Sequence, residues 1–139
     1  MEIKAVVWNS REGHAVCVST GETTRSLEVP AKPGGVGSGV NGGEFLMLAL
    51  ATCYCNDLYR EAARLGLQLD GVEVEATADF AGIGLAASDV RYRAWVNSPE
   101  PAAAIEALLA ATDAVAEVHN TLRAGVAVTR VEGDQPGAR

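Results

Sequence analysis

Gly42 to Leu58 reads Gly-Gly-Glu-Phe-Leu-Met-Leu-Ala-Leu-Ala-Thr-Cys-Tyr-Cys-Asn-Asp-Leu, and no other stretch constrains the fold as much. From Phe45 to Cys55 only Thr52 interrupts the apolar residues, a run too short to span a bilayer. The pattern predicts a helix whose first half is apolar all round and therefore buried. Asn41 supplies an N-cap and Glu44, at the third helical position, completes a capping-box pattern. Gly66 supplies a stop signal, so the helix is expected to end near Leu65. In its second half Leu58, Ala62 and Leu65 are expected to face inward, with Asp57, Glu61 and Arg64 reaching water.

A chain of 139 residues suits one domain, 1–139, with Glu132 to Arg139 as a frayed tail. The net charge of -7 would repel phosphates and argues against nucleic acid as a partner. Three cysteines do not make a disulfide scaffold, and no spacing of Cys and His resembles a metal site. The first residues, Met1-Glu-Ile-Lys-Ala, lack the basic and apolar regions of a signal peptide. A reducing cytoplasm is the expected location, with no membrane partner.

Ile3 to Trp8, His14 to Thr20 and Thr24 to Val29 are β-rich and suggest an antiparallel meander. Residues 30 to 43 hold two prolines and six glycines, read as a flexible or partner-contacting loop. Gly37, Gly39 and Gly42 form a G-x-G-x-x-G, but no strand runs into it, so nucleotide binding is not expected. Val72 to Asp79 and Val90 to Val96 alternate apolar and polar residues. Their acidic and basic faces fit an antiparallel pair. An alanine-rich helix starts at Ser98-Pro99 and runs to about Thr112. A second runs from about Asp113 to Arg123, and Val126 to Val131 is expected as a last strand. The order βββ–α–ββ–αα–β is that of an α+β domain.

Cys53 and Cys55 project roughly 200° apart on the helix, so they cannot serve one site together. Cys55 shares a stripe with Leu48, Ala51, Leu58 and Ala62, and Cys17 sits mid-strand; both are read as packing. Cys53 has apolar neighbours one turn above and Asn56, Asp57 and Arg60 below. Burial and Asp57 would raise its thiol pKa, and Arg60 would lower it. Packing and chemistry both remain open for this residue.

After the helix from Asn41 to Cys53 come Ala-Arg-Leu-Gly-Leu (63–67) and Gly-Val-Glu-Val-Glu (71–75). In these features the chain resembles the OsmC/Ohr family, the osmotically inducible and organic-hydroperoxide-resistance proteins. His119 to Val126, His-Asn-Thr-Leu-Arg-Ala-Gly-Val, is similar to the segment after that family's second cysteine. The resemblance extends from about residue 3 to 131. It implies an OsmC-like α+β fold with antiparallel sheets packed on a long central helix. It further implies an intertwined homodimer with two sites built from both chains. Cys53 falls at the place of the peroxidatic cysteine, and Arg11, in Ser-Arg-Glu-Gly, resembles the loop arginine that holds the thiolate.

Two departures stand out. Gly43 occupies the place of the family's catalytic glutamate, and Glu44, nine positions from Cys53, points to the opposite helix face. Ala116 occupies the place of the resolving cysteine. His119, one turn beyond Ala116, is an auxiliary candidate as base or cation beside Cys53, and Asp57 is another. The resemblance implies a peroxidase reducing organic hydroperoxides, with hydrogen peroxide as a further substrate. Phe45, Leu46 and Leu50 would line an apolar pocket, no cofactor is implied, and an external thiol would be the reductant. The alternative is a non-catalytic dimer of the same fold that binds an apolar small molecule or another protein.

Overall fold

A computed structural model of the protein describes residues 1–133. The expected tail therefore lies, from Asp134 onward, outside the described residues. The architecture is α+β, with antiparallel sheets and a long helix, as the element pattern predicts. The backbone divides into two compact units, Met1–Leu48 and the residues from Ala49 onward.

The first unit is a meander of β1 (Ile3–Ser10), β2 (Gly13–Thr20) and β3 (Thr23–Leu27). Val6 pairs with Cys17 and Val18 with Arg25. Arg11 and Glu12 form the tight link between β1 and β2, where Ser10 pairs with Gly13. The glycine-rich segment after β3 is tied down rather than free. Gly37 N–H donates to Asn9 Oδ1 at 2.9 Å, and Asn9 Nδ2 donates back to Gly37 O at 3.3 Å. Ala31 and Ser38 form a bridge, and a Cβ on Gly39 would lie 3.0 Å from the Pro30 carbonyl oxygen. Gly39 is thus a glycine because two backbone segments meet there.

Helix α1 spans Gly42–Leu65. The capping box forms: Glu44 N–H donates to Asn41 Oδ1 at 2.8 Å and Asn41 N–H to Glu44 Oε1 at 3.0 Å. Such a cap is typically worth about 1 kcal/mol. Gly66, at φ 69°, reverses the chain, and Leu67 N–H donates to Ala62 O at 2.8 Å to close the last turn.

The second unit adds β4 (Gly71–Asp79), β5 (Ser88–Asn97), α2 (Ala102–Val115) and α3 (Glu117–Ala124). Strands β4 and β5 pair antiparallel with Val74 opposite Ala94. The expected charge complementarity appears where Arg93 meets Glu75 at 2.9 Å. Arg91 instead bonds Asp89, two residues earlier on its own strand. Tyr54, Leu58, Ala62, Leu108 and Ala116 form the buried cluster, onto which Val72, Val74, Tyr92, Ala94 and Val96 pack from the hairpin.

Three expectations require correction. The inward stripe of α1 contains Leu50, Tyr54, Asp57, Leu58, Glu61 and Ala62, with Asp57 4% and Glu61 7% exposed. Leu65 turns outward, and Leu48 in the apolar first half is 56% exposed. Arg60 and Arg64, both on the helix, neutralise the two inward acids, which is what permits their burial. The helical segment expected from Asp113 to Arg123 is broken at Ala116, whose backbone is extended. Finally, residues 126–131 form no strand: among the described residues no strand pairs with them, and Val128 is 99% exposed. An alternating pattern reports readiness to join a sheet, whereas a strand needs a hydrogen-bonded neighbour. No described helix is long and apolar enough to cross a membrane.

Candidate functional site

Cys53, Asp57, Arg60, Glu61 and Arg64 recur at three- and four-residue intervals and so share one side of α1. The Cys53 Sγ donates to Asp57 Oδ2 at 3.6 Å and to Glu117 Oε2 at 3.7 Å. Arg60 clamps both acceptors, with Nη1 2.9 Å from Asp57 Oδ1 and 3.3 Å from Glu117 Oε1. Its Nε lies 3.6 Å from Glu61 Oε2, and Arg64 Nη2 lies 3.0 Å from Glu61 Oε1. Glu117 is the first residue of α3, where unpaired backbone N–H groups favour an acid.

The charges around the thiol oppose its ionisation. Burial pushes the Cys53 thiol above its ordinary pKa, and Asp57 and Glu117 push it further; only the Val118 backbone pulls it down. Asp57 is raised too, first by burial and then by Glu117, against the pull of Arg60. Glu117 is lowered by its own backbone N–H and by Asp57. The donor atoms of Cys53, Asp57 and Glu117 lie within 4.8 Å of one another, a spacing a metal ion could bridge. The Arg60 guanidinium already meets both carboxylates there, so a cation is in place without one.

His119 lies elsewhere, in an aromatic cage. Its ring is 4.5 Å from that of Tyr92 and 5.7 Å from that of Tyr54, and it is 3% exposed. Neither ring nitrogen has a hydrogen-bond partner among the described residues. Burial lowers its pKa, with Arg123 adding to the effect against the pull of Asp113, which disfavours the cationic ring. This corrects the expectation of His119 as a cationic partner: on α3 it is Glu117 that reaches the Cys53 sulfur. Tyr92 donates to Asp113, which also pairs with Arg123 at 2.7 Å. A cavity of about 220 Å³ is lined by Leu50, Val90, Tyr92, His119, Leu122 and Arg123.

Of the expected pocket residues, Leu50 lines that cavity, whereas Phe45 and Leu46 are half-buried in the opening turns of α1 and do not. Arg11 is exposed at the β1–β2 link. Glu44 has its carboxylate engaged in the capping box, which removes it as a stand-in for the acid missing at Gly43. Ala116 is fully buried in the second unit's core. Glu117 was missed from sequence; its signal was adjacency to Ala116, the position read as that of the absent second cysteine.

Residues 35–130 match the family profile described as OsmC-like protein. The chain belongs to that family. Solved structures agree on the fold. An OsmC-like protein from Mycoplasma pneumoniae superposes with a TM-score of 0.63 at 17% identity, covering 88% of this chain and 86% of that one. An organic hydroperoxide resistance protein from Elizabethkingia anophelis, with thiocyanate bound, gives 0.60 at 15% identity, covering 88% and 89%. The organic hydroperoxide resistance protein OsmC from Legionella pneumophila gives 0.58 at 16% identity, covering 88% and 90%. No curated protein matches the sequence. The OsmC-like match spans Cys53, Asp57 and Glu117, so the whole cluster lies within the family region.

Proposed function

We propose that this OsmC-like protein is a thiol-dependent peroxidase that reduces organic hydroperoxides through Cys53, with hydrogen peroxide as a further substrate. The observation that carries the reading is a half-buried thiol whose sulfur lies within hydrogen-bond reach of two carboxylates bridged by an arginine. The thiol sulfur attacks the distal peroxide oxygen, the O–O bond breaks, and the products are a cysteine sulfenic acid and an alcohol. Arg11 keeps the role the resemblance gives it, stabilising thiolate and leaving alkoxide. An external thiol, available in a cytoplasmic setting, reduces the sulfenic acid, because Ala116 cannot resolve it. No metal or bound cofactor takes part in this reading.

The working form is proposed to be a homodimer. Ile3, Val7 and Trp8 of β1, Leu48 of α1 and Val128 are all exposed apolar groups that a second chain would cover. Sedimentation equilibrium is expected to return twice the chain mass; a monomer at working concentration removes this part of the proposal.

A second reading has its own support. Acids surround the thiol, and the cavity beside Leu50 and His119 could hold an apolar small molecule, as in a non-catalytic binding protein of this fold. One experiment separates the two. Because the thiol is held above its ordinary pKa, it stays protonated through neutral pH, and iodoacetamide should label Cys53 rapidly only at alkaline pH. The peroxidase reading expects limiting cumene hydroperoxide at neutral pH to form a dimedone-trapped sulfenic acid at Cys53 alone, far faster than that alkylation. Slow oxidation spread over Cys17, Cys53 and Cys55 would favour the binding protein.

A further inference from the structure

We propose that Asp57 relays the thiol proton of Cys53 to the leaving alkoxide, with Glu117 and Arg60 positioning it. The inference rests on the peroxidase reading and supplies what Gly43 leaves out. Asp57 sits one turn below Cys53 and accepts from its sulfur at 3.6 Å, so it touches a reacting atom. It is nearly inaccessible to water, which keeps the proton within the site rather than releasing it. Arg60, bonded to Asp57 and Glu117, fixes the carboxylate orientation without contacting the sulfur through any described hydrogen bond.

Charge conservation makes the relay the economical route. The groups facing Cys53 and Asp57 on α1 and α3 are the carboxylates of Glu61 and Glu117 and the guanidinium of Arg60, with Arg64 held on Glu61. Losing the thiol proton to solvent would add a fourth anion, beside Asp57, Glu61 and Glu117, to a cluster with only two cations. Passing it to Asp57 leaves the net charge unchanged. The sulfur then attacks the peroxide, the O–O bond gives both its electrons to the departing oxygen, and Asp57 returns the proton to that alkoxide. In sum, Cys53 thiol and hydroperoxide become Cys53 sulfenic acid and alcohol, with Asp57 regenerated. Burial and Glu117 raise the Asp57 pKa, which makes its carboxylate a better proton acceptor than an ordinary exposed aspartate.

The test compares two oxidants that differ in their leaving group. Cumene hydroperoxide expels an alkoxide that needs a proton; peracetic acid expels acetate, which does not. Asp57→Asn in the full chain is expected to slow Cys53 oxidation by cumene hydroperoxide by about 100-fold. Oxidation by peracetic acid should slow far less, because acetate leaves without the proton that Asp57 would return and only the loss of the thiol-proton acceptor is felt. Equal slowing toward both oxidants, or none toward either, overturns the relay while leaving the peroxidase reading intact. A wild-type Cys53 that neither oxidant attacks faster than a free thiol overturns both. Should the variant lose its circular dichroism spectrum, wild-type protein carries the test in D2O. There the relay requires a larger slowing with cumene hydroperoxide, whose alkoxide must receive the proton, than with peracetic acid. Matching isotope effects would remove the relay.

Discussion

Cys53→Ser will reduce peroxide turnover, supported by a small-thiol reductant, to the uncatalysed background, a loss on the order of 10³-fold or more. The serine hydroxyl, smaller than the thiol, still supplies a donor toward Asp57 and Glu117. What disappears is the polarisable nucleophile that ends the reaction as a sulfenic acid. The other two cysteines are poor substitutes. Cys55 projects roughly 200° away on the same helix, and Cys17 lies in the strand pairing of the first unit. Hydroperoxide consumption coupled to oxidation of the reductant is the readout. Turnover in the serine variant within a few-fold of wild type would mean that Cys53 is a packing residue. Function would then have to be sought at the cavity beside Leu50.

Leu58→Ala is the substitution expected to cost most stability, about 2–5 kcal/mol. Leu58 is 0% exposed and sits among Tyr54, Ala62, Leu108 and Ala116, with the inner face of β4–β5 packed against the cluster. The space a leucine leaves is hard to refill when two of the surrounding residues, Ala62 and Ala116, are already alanine. The loss is therefore the transfer energy of the missing methyl groups plus an uncollapsed cavity. Chemical denaturation should show a lower midpoint at an unchanged slope. Ile83→Ala, at a fully exposed loop position, is the control and should stay within about 0.5 kcal/mol of wild type. If both variants unfold alike, the cluster around Leu58 is not the core that holds the second unit together.

Much of the site was legible before the fold was seen, for a specific reason. Cys53, Asp57 and Arg60 lie on one helix, so the 3.6-residue period alone places the acid and the arginine beside the thiol. The raising effect of Asp57 on the thiol could also be read from that spacing, whereas the expected pull of Arg60 is not among the influences on the thiol, its guanidinium being held by Asp57 and Glu117. Glu117 could not, because it is 64 positions away and arrives through the fold of α2 and α3. The same distance misled the reading of His119. Counting along a single helix put it beside Ala116, but the extended backbone at Ala116 starts a new helix, and its first residue is the one that turns to Cys53.

What the sequence determined by itself was local: the capping box at Asn41 and Glu44, the stop at Gly66, the alternation of β4 and β5, and the helical neighbours of Cys53. Each depends on residues a few positions apart or on one period of one element. The tertiary structure decided which side of α1 is buried, and it chose a stripe that includes Asp57 and Glu61. Apolar content cannot reveal that, because a carboxylate enters a protein interior only when a cation comes with it, and the pairing is a property of the packed helix. It also decided that residues 126–131 stay unpaired within the described chain. A strand pattern is written in one segment, but the hydrogen bonds that make it a strand belong to a neighbour.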